Sequence, residues 1–440
     1  TGLFIISIKL VSNIMENTRF LNNIHTGLLT TSDTGEVLPS IAKNWYVEDD
    51  NLTWIFNLRK DVKFHNGKNI RASDVKYSLE RLLSPKLNSP NTWFIDYIEG
   101  TDEFMRGQAQ EVTGIKVLGD YRLSIKLSIP FNGFLLLLSQ GCCAVMDSRE
   151  WEKGNLVGCG PYKLESFENN VYKLVAYNDF LGGKPYADIL EITNADKEAL
   201  KNFIDHKYDF HIVQGKEELE HIKAEGYFEN YKAVNLLATS YIGFKLKNTN
   251  SVYTQKKVRQ AINHAINKKR IISELLGGLA TEAKCIIPPG LVPYDDIEGY
   301  DYNPEKAKEI LRKEKVNLSK PISILFKESF SEVLKFIEED LKNIGITCKY
   351  KKVSDKEFTK VANISEEHDM YMYNWYADAM DPSSFIKPLF WPGSESNLSD
   401  YENDKVMGLL EIATQTANPK RRLELYIEIQ RMISEDAPCV

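Results

Sequence analysis

The chain has 440 residues, more than one hydrophobic core ordinarily supports, so two or three domains are expected. Hydrophobic residues make up 43% and charged residues 27%, the profile of a folded globular chain rather than a disordered or membrane-embedded one. A formal net charge of -7 argues against nucleic acid or anionic lipid as the main partner, because both are held by clustered Lys and Arg.

From the amino end, Thr34-Gly35 is turn chemistry, residues 38–42 are predicted to open a short helix, and 45–47 start a strand. Asp49-Asp50-Asn51 turns the chain into residues 53–58, which alternate apolar and polar as the second strand of a hairpin. His65-Asn66-Gly67-Lys68 is a further polar turn, and Ser73 is expected to cap an amphipathic helix running through Leu83. Residues 115–118 and 122–127 read as strands about the Gly119-Asp120 turn, and 130–138 as an apolar helix or loop. Gly158-Cys159-Gly160-Pro161 is the strongest breaker cluster of the first half and marks a predicted domain boundary.

Beyond that point, 162–167 and 171–177 pattern as a hairpin, 188–193 as a strand, 197–204 as a helix and 209–212 as a strand. Elements of β and α now alternate, as in a sheet flanked by helices. A strand at 241–246 precedes 256–267, where Val258, Ala261, Ile262, Ala265 and Ile266 fall at helical spacing. Pro288-Pro289-Gly290 closes the following loop, and Asn303-Pro304 starts a helix with Pro in its first turn. Strands are predicted at 322–326, 346–351 and 369–374, a helix at 332–344, and two last helices at 402–416 and 421–434.

No apolar run approaches the roughly 20 residues of a transmembrane helix. The chain begins at Thr1 without the basic stretch of a secretory signal, which leaves export undecided. Six cysteines, at 142, 143, 159, 285, 348 and 439, show no metal-ligand spacing and read as small buried hydrophobes. His206 and His211, beside Asp205 and Asp209, are the nearest thing to a metal cluster, but no metal or other cofactor is expected. There is no Gly-x-Ser-x-Gly, Walker loop or His-Glu-x-x-His, so catalysis is not expected.

Several blocks taken together resemble one family. They are Leu38-Pro39-Ser40-Ile41-Ala42-Lys43-Asn44-Trp45 with Phe56–Gly67 and Ala72-Ser73-Asp74-Val75; Gly158-Cys159-Gly160-Pro161-Tyr162 with Leu181-Gly182-Gly183-Lys184-Pro185; Lys257-Val258-Arg259-Gln260-Ala261-Ile262-Asn263 with Tyr302-Asn303-Pro304-Glu305-Lys306; and Trp375-Tyr376-Ala377-Asp378-Ala379-Met380-Asp381-Pro382 with Asn397, Tyr401 and Asn403. In this order, across about residues 26–440, the chain resembles the peptide-binding proteins of ABC importers, solute-binding protein family 5.

The resemblance implies an α/β, two-lobed, periplasmic-binding-protein-like fold of class II, its lobes joined by a hinge and an extra α+β domain inserted in the first. Carried onto this sequence, residues 1–30 and 159–240 would form the first lobe, 31–158 the insert and 241–440 the second lobe. The implied function is an extracytoplasmic monomer, periplasmic or a cell-surface lipoprotein, which captures short peptides between its lobes and delivers them to a membrane permease. Relatives that bind nickel–chelator complexes, heme or opines, or that sense a peptide signal without import, supply the competing expectations. The α-ammonium of the ligand would be held by Asp378, with Trp375 and Tyr376 lining a side-chain pocket. Asn374 to Tyr376 would offer a backbone edge, and Ala377 stands between that edge and Asp378. Asn13 and Met15 align loosely with a first-lobe stretch that faces the peptide.

Three departures stand out. Cys159 replaces a common Thr, and the family's return to the first lobe after Asp436-Ala437-Pro438 does not follow within the 440 residues. Ser329-Phe330-Ser331-Glu332 also stands where dipeptide-selective relatives carry an Arg, so longer or otherwise anchored peptides are expected.

Overall fold

The computed structural model describes residues 3–7 and 21–440 except 88, 90, 170, 194–197, 214, 249, 296, 365–367, 378 and 417; for 3–7, 228, 230 and 364 it describes the backbone alone. The chain divides into two compact units, residues 1–214 and 215–440.

In the first unit the strands are β1 (Leu3–Ser7), β2 (Leu29–Thr31), β3 (Val37–Pro39), β4 (Ala42–Val47), β5 (Thr53–Leu58), β6 (Ile115–Gly119), β7 (Arg122–Lys126), β8 (Tyr162–Glu168), β9 (Val171–Ala176) and β10 (Ile189–Thr193). One sheet runs β4-β5-β7-β6 and a second β1-β10-β9-β8, while β2 and β3 pair separately. The predicted hairpin at β4 and β5 forms because Asp50 Oδ1 accepts from the Leu52 and Thr53 amides at 2.9 and 2.8 Å, closing an Asx-type turn.

Residues 38–42, predicted helical, instead end β3, bend at Ser40-Ile41 and open β4. Pro39 pairs with Leu29, and the Ala42 amide donates to the Leu28 carbonyl at 2.9 Å. A five-residue helix could not compete with these partners, since a helical nucleus of that length has little stability of its own. The helix predicted after the second turn spans Ala72–Leu83, and its cap is Arg71 rather than Ser73. Asp74 supplies the reciprocal bond by accepting from the Arg71 amide at 2.8 Å, which leaves Val75, Leu79, Leu82 and Leu83 to face the core. Residues 209–212 form no named strand in either unit's sheets.

The glycines of Gly158-Cys159-Gly160 are dictated by crowding rather than by a left-handed turn. A Cβ on Gly158 would lie 1.9 Å from the Ile24 carbonyl oxygen, and one on Gly160 would lie 2.7 Å from that of Asn23. The close approach is held by the Gly160 amide donating to Ile24 at 2.7 Å and the His65 amide to Gly158 at 2.8 Å.

The second unit is built on β11 (Ala238–Phe244), β12 (Ile322–Lys327), β13 (Cys348–Val353) and β14 (Met370–Tyr376), in the order β11-β14-β12-β13. The pairs β12–β13 and β12–β14 are parallel, and β11–β14 is antiparallel. Both faces are covered, as parallel strands require. On one face Tyr241, Leu325 and Tyr371 meet the helices Ser383–Phe390, Asp404–Gln415 and Pro419–Asp436. On the other, Ile242, Phe244, Ile324, Met370 and Met372 meet Lys256–Ala265, Pro304–Lys313 and Ser331–Asn343. The alternation of side chains along each strand decides which residue serves which core.

The outer edge of β11 is closed by the last residues of the chain. Phe244 donates to Pro438 at 2.9 Å, and Ile242 exchanges bonds with Val440 at 3.0 and 2.8 Å. Arg259 pins this segment by donating to the carbonyls of Ala437 at 2.9 Å, Asp436 at 2.6 Å and Thr254. Asn263, one turn on, donates to Cys439 at 3.1 Å. The Lys257–Asn263 block is therefore a clamp on backbone carbonyls, a task that a planar guanidinium with five donors performs well. No helix of the described residues is long and apolar enough to cross a membrane.

Candidate ligand-binding site

Four of the seven residues singled out from the sequence, Asn374, Trp375, Tyr376 and Ala377, lie together at the carboxyl end of β14 in the second unit. Asn13, Met15 and Asp378 lie outside the described residues.

The pairing of β14 changes along its length. Against β11 it is paired from Met370 through Tyr376, but against β12 only Met370 and Tyr371 are paired among the described residues, with Ile324 and Leu325. β12 meanwhile stays paired with β13 as far as Lys327 and Val353. The two parallel neighbours thus part company after Tyr371, leaving one edge of β14 without a strand partner among the described residues over its second half.

The direction of the free groups follows from the ladder. The Ala377 amide donates to the Leu237 carbonyl at 2.7 Å, which fixes the phase of the β11–β14 hydrogen bonds. In an antiparallel ladder bonded and non-bonded pairs alternate, so Tyr373 and Trp375 share the phase of Ala377 and turn their backbone groups to β11. The N–H and C=O groups of Asn374 and Tyr376 then point to the unpaired side. This is an edge onto which an extended chain can add as a strand. It lies at the carboxyl ends of parallel strands, where open α/β sheets place their ligands.

The side chains divide between support and exposure. Trp375 is anchored: its indole Nε1 donates to the Ser384 carbonyl at 2.7 Å, and its ring packs on the core below the sheet. Ala377 packs on the same core. Asn374 is half-buried, and its Oδ1 is buried without a hydrogen-bond partner. An orphaned amide oxygen costs about 1–3 kcal/mol, so an incoming donor at this point would relieve a real penalty. Tyr376 is half-buried on the same face of the strand as Asn374. On the opposite face, burial pushes the Tyr241 and Tyr371 phenols well up, so both are neutral donors packed edge to face at 6.1 Å.

The loop after β14 is tied down by an ion pair that sequence reading did not single out. Asp381 accepts from Arg422 at 2.6 Å, with side chains 7% and 16% exposed, and its other oxygen accepts from the Ser383 amide at 2.9 Å. Asp381 is thus committed to the helix Pro419–Asp436, across a separation that no local pattern could reveal. Among the described residues no group of three or more His, Cys, Asp or Glu is placed to hold a metal ion. All six cysteines are free thiols, and the Cys142 and Cys143 sulfurs stand 4.0 Å apart.

A family model described as bacterial extracellular solute-binding proteins, family 5 (middle), matches residues 36–397. The chain belongs to this family. Family 5 consists of binding proteins rather than enzymes, and this member is similar to the dipeptide-binding protein of Escherichia coli, 26% identical across 92% of this chain and 81% of that protein. It is also 25% identical to heme-binding protein A of Haemophilus influenzae, across 92% of this chain and 78% of that one. Among solved structures, the protein AppA from Clostridium difficile superposes with a TM-score of 0.84 at 23% identity, covering 100% of this chain and 92% of the other. The periplasmic binding protein DppA from Helicobacter pylori, in complex with the peptide STSA, gives 0.79 at 23% identity, with 100% and 91% covered. The fold of this family 5 protein is accordingly the α/β, periplasmic-binding-protein-like fold that its sequence blocks implied.

Proposed function

We propose that this family 5 protein is the extracytoplasmic substrate-binding component of an ABC importer, capturing short peptides and handing them to a membrane permease. The observation that carries the reading is the unpaired edge of β14, where Asn374 and Tyr376 direct backbone donors and acceptors toward an absent strand. Every peptide offers the complementary groups whatever its side chains, so such an edge suits a transporter of mixed peptides. The dipeptide-binding relative and the peptide complex of the H. pylori protein support the same ligand class.

In this reading Asp378 neutralises the peptide's α-ammonium, and Asn13 and Met15 contribute from the first lobe. Residues 31–158 form an inserted domain within a first lobe of 1–30 and 159–240, 241–440 form the second lobe, and the protein acts as a monomer on the cell surface or in the periplasm. The heme-binding relative keeps one other ligand class in play. Native mass spectrometry of the purified protein separates the two: a ladder of short peptides is expected, and a single metallo-compound in its place refutes the peptide reading.

A further inference from the structure

We infer that Cys142 and Cys143 form a two-coordinate site for a soft monovalent cation, copper(I), with Arg81 as its counter-charge; the inference stands independently of the peptide reading. The two cysteines end the short 3-10 turn Gly141–Cys143, on which the helix Ala72–Leu83 packs. Successive side chains of such a turn point about 120° apart, yet these sulfurs are 4.0 Å from each other and so are turned toward a common point. Metal–thiolate bonds of about 2.3 Å reach from both sulfurs to one ion at that separation. Cys143 is buried, and its other hydrogen bond among the described residues is a long one, donated to the Leu137 carbonyl at 3.7 Å. Cys142 is half-buried, which leaves the ion a way in.

The charges around the pair favour an anionic complex. Arg81, in the last turn of the helix, lies over the Trp151 ring at 4.6 Å, and its Nε is buried without a hydrogen-bond partner. Burial pushes this guanidinium down from its ordinary range, and the groups that oppose the push are Tyr77, Cys142 and Cys143, with no carboxylate among them. A guanidinium does not shed its proton in a protein, so Arg81 stands here as a part-buried charge short of an anion. Hydrogen bonding with Cys142, and then burial, hold the Cys143 thiol well up, so it is neutral before an ion arrives. On binding, both thiols release their protons to water. One copper(I) and two thiolates then carry a single negative charge between them, and Arg81 offsets it.

The donor set narrows the choice of ion. Zinc takes four ligands in a structural site and iron–sulfur clusters take four cysteines, but the described residues offer this pair no third His, Cys, Asp or Glu. Two soft thiolates with no further ligand suit copper(I). A disulfide is the competing fate of two thiols. Consecutive Cα atoms are about 3.8 Å apart across a trans peptide, short of the roughly 4.4 Å at which disulfides ordinarily begin, whereas an ion bridges the sulfurs where they stand.

Anaerobic titration of the reduced protein with copper(I) against bicinchoninate, whose coloured copper(I) complex fades as the protein takes the ion, tests the site. Wild type should withdraw one ion per chain. Cys142→Ser should lose that uptake, Cys348→Ser, at a half-buried cysteine of the second unit, should keep it, and Arg81→Gln should hold the ion about tenfold more weakly. Copper-edge X-ray absorption of the wild-type complex should find two sulfur neighbours, a readout that needs no variant. No withdrawal by wild type, undiminished uptake in Cys142→Ser, unchanged affinity in Arg81→Gln, or three or more sulfur neighbours overturns the assignment.

Discussion

Two side chains illustrate how burial sets chemistry. His25 is 3% exposed, and neither of its ring nitrogens makes a hydrogen bond of good geometry. Burial, with a smaller contribution from the nearby His65 and Arg81, lowers its pKa to about 4, so the folded chain holds it neutral. The unfolded chain takes up a proton below about pH 6.5, so the native state is fully favoured above that pH and loses stability as the pH falls toward 4. The loss is on the order of 3 kcal/mol over that window. Urea denaturation of His25→Leu should show a flatter dependence of stability on pH between 6.5 and 4 than the wild type does. At the ligand site, Asp378→Ala should weaken peptide affinity at least about tenfold, since it leaves an ammonium without its counter-charge; calorimetry with a copurified peptide gives the comparison, and an unchanged affinity would remove Asp378 from the site.

Among elements, β14 is decisive. The first part of the strand is central and pairs on both sides; among the described residues its second part keeps only β11. Tyr376 has its backbone N–H on the unpaired side, so Tyr376→Pro should leave the β11 ladder standing and cost little in thermal stability. Peptide affinity should fall about tenfold through the lost donor. If melting temperature collapses while affinity in the remaining folded protein is unchanged, the edge is structural and not a binding surface. The same strand shows what local sequence conveys. Its length and apolar character were legible from residues 369–374, but the point at which its partner departs was not, because pairing depends on where β12 and β13 run after Phe326. Residues 38–42 show the reverse error, a local pattern overruled by contacts with Gly27, Leu28 and Leu29.

For the whole molecule, ligand binding should register as stabilisation by mass action. A peptide present at a hundred times its Kd adds about 2.7 kcal/mol to the native state, enough to raise the melting temperature visibly in a chain of this size. A scan with mixed tri- and tetrapeptides should show that rise, and a flat response to every mixture would argue against peptide capture. The order of the sequence blocks by itself determined the family and the fold class, since cores on both faces of a sheet demand the alternation and helical spacing seen at 256–267, 322–326 and 369–374. Most elements were legible for the same reason. Only the tertiary structure decided that Asp381 is spent on Arg422, that Arg259 clamps the final residues, and that Lys327 stands beside Tyr373. Each of these joins residues from 41 to 178 positions apart or across two strands, and a partner at that distance leaves no trace in the local pattern of either residue.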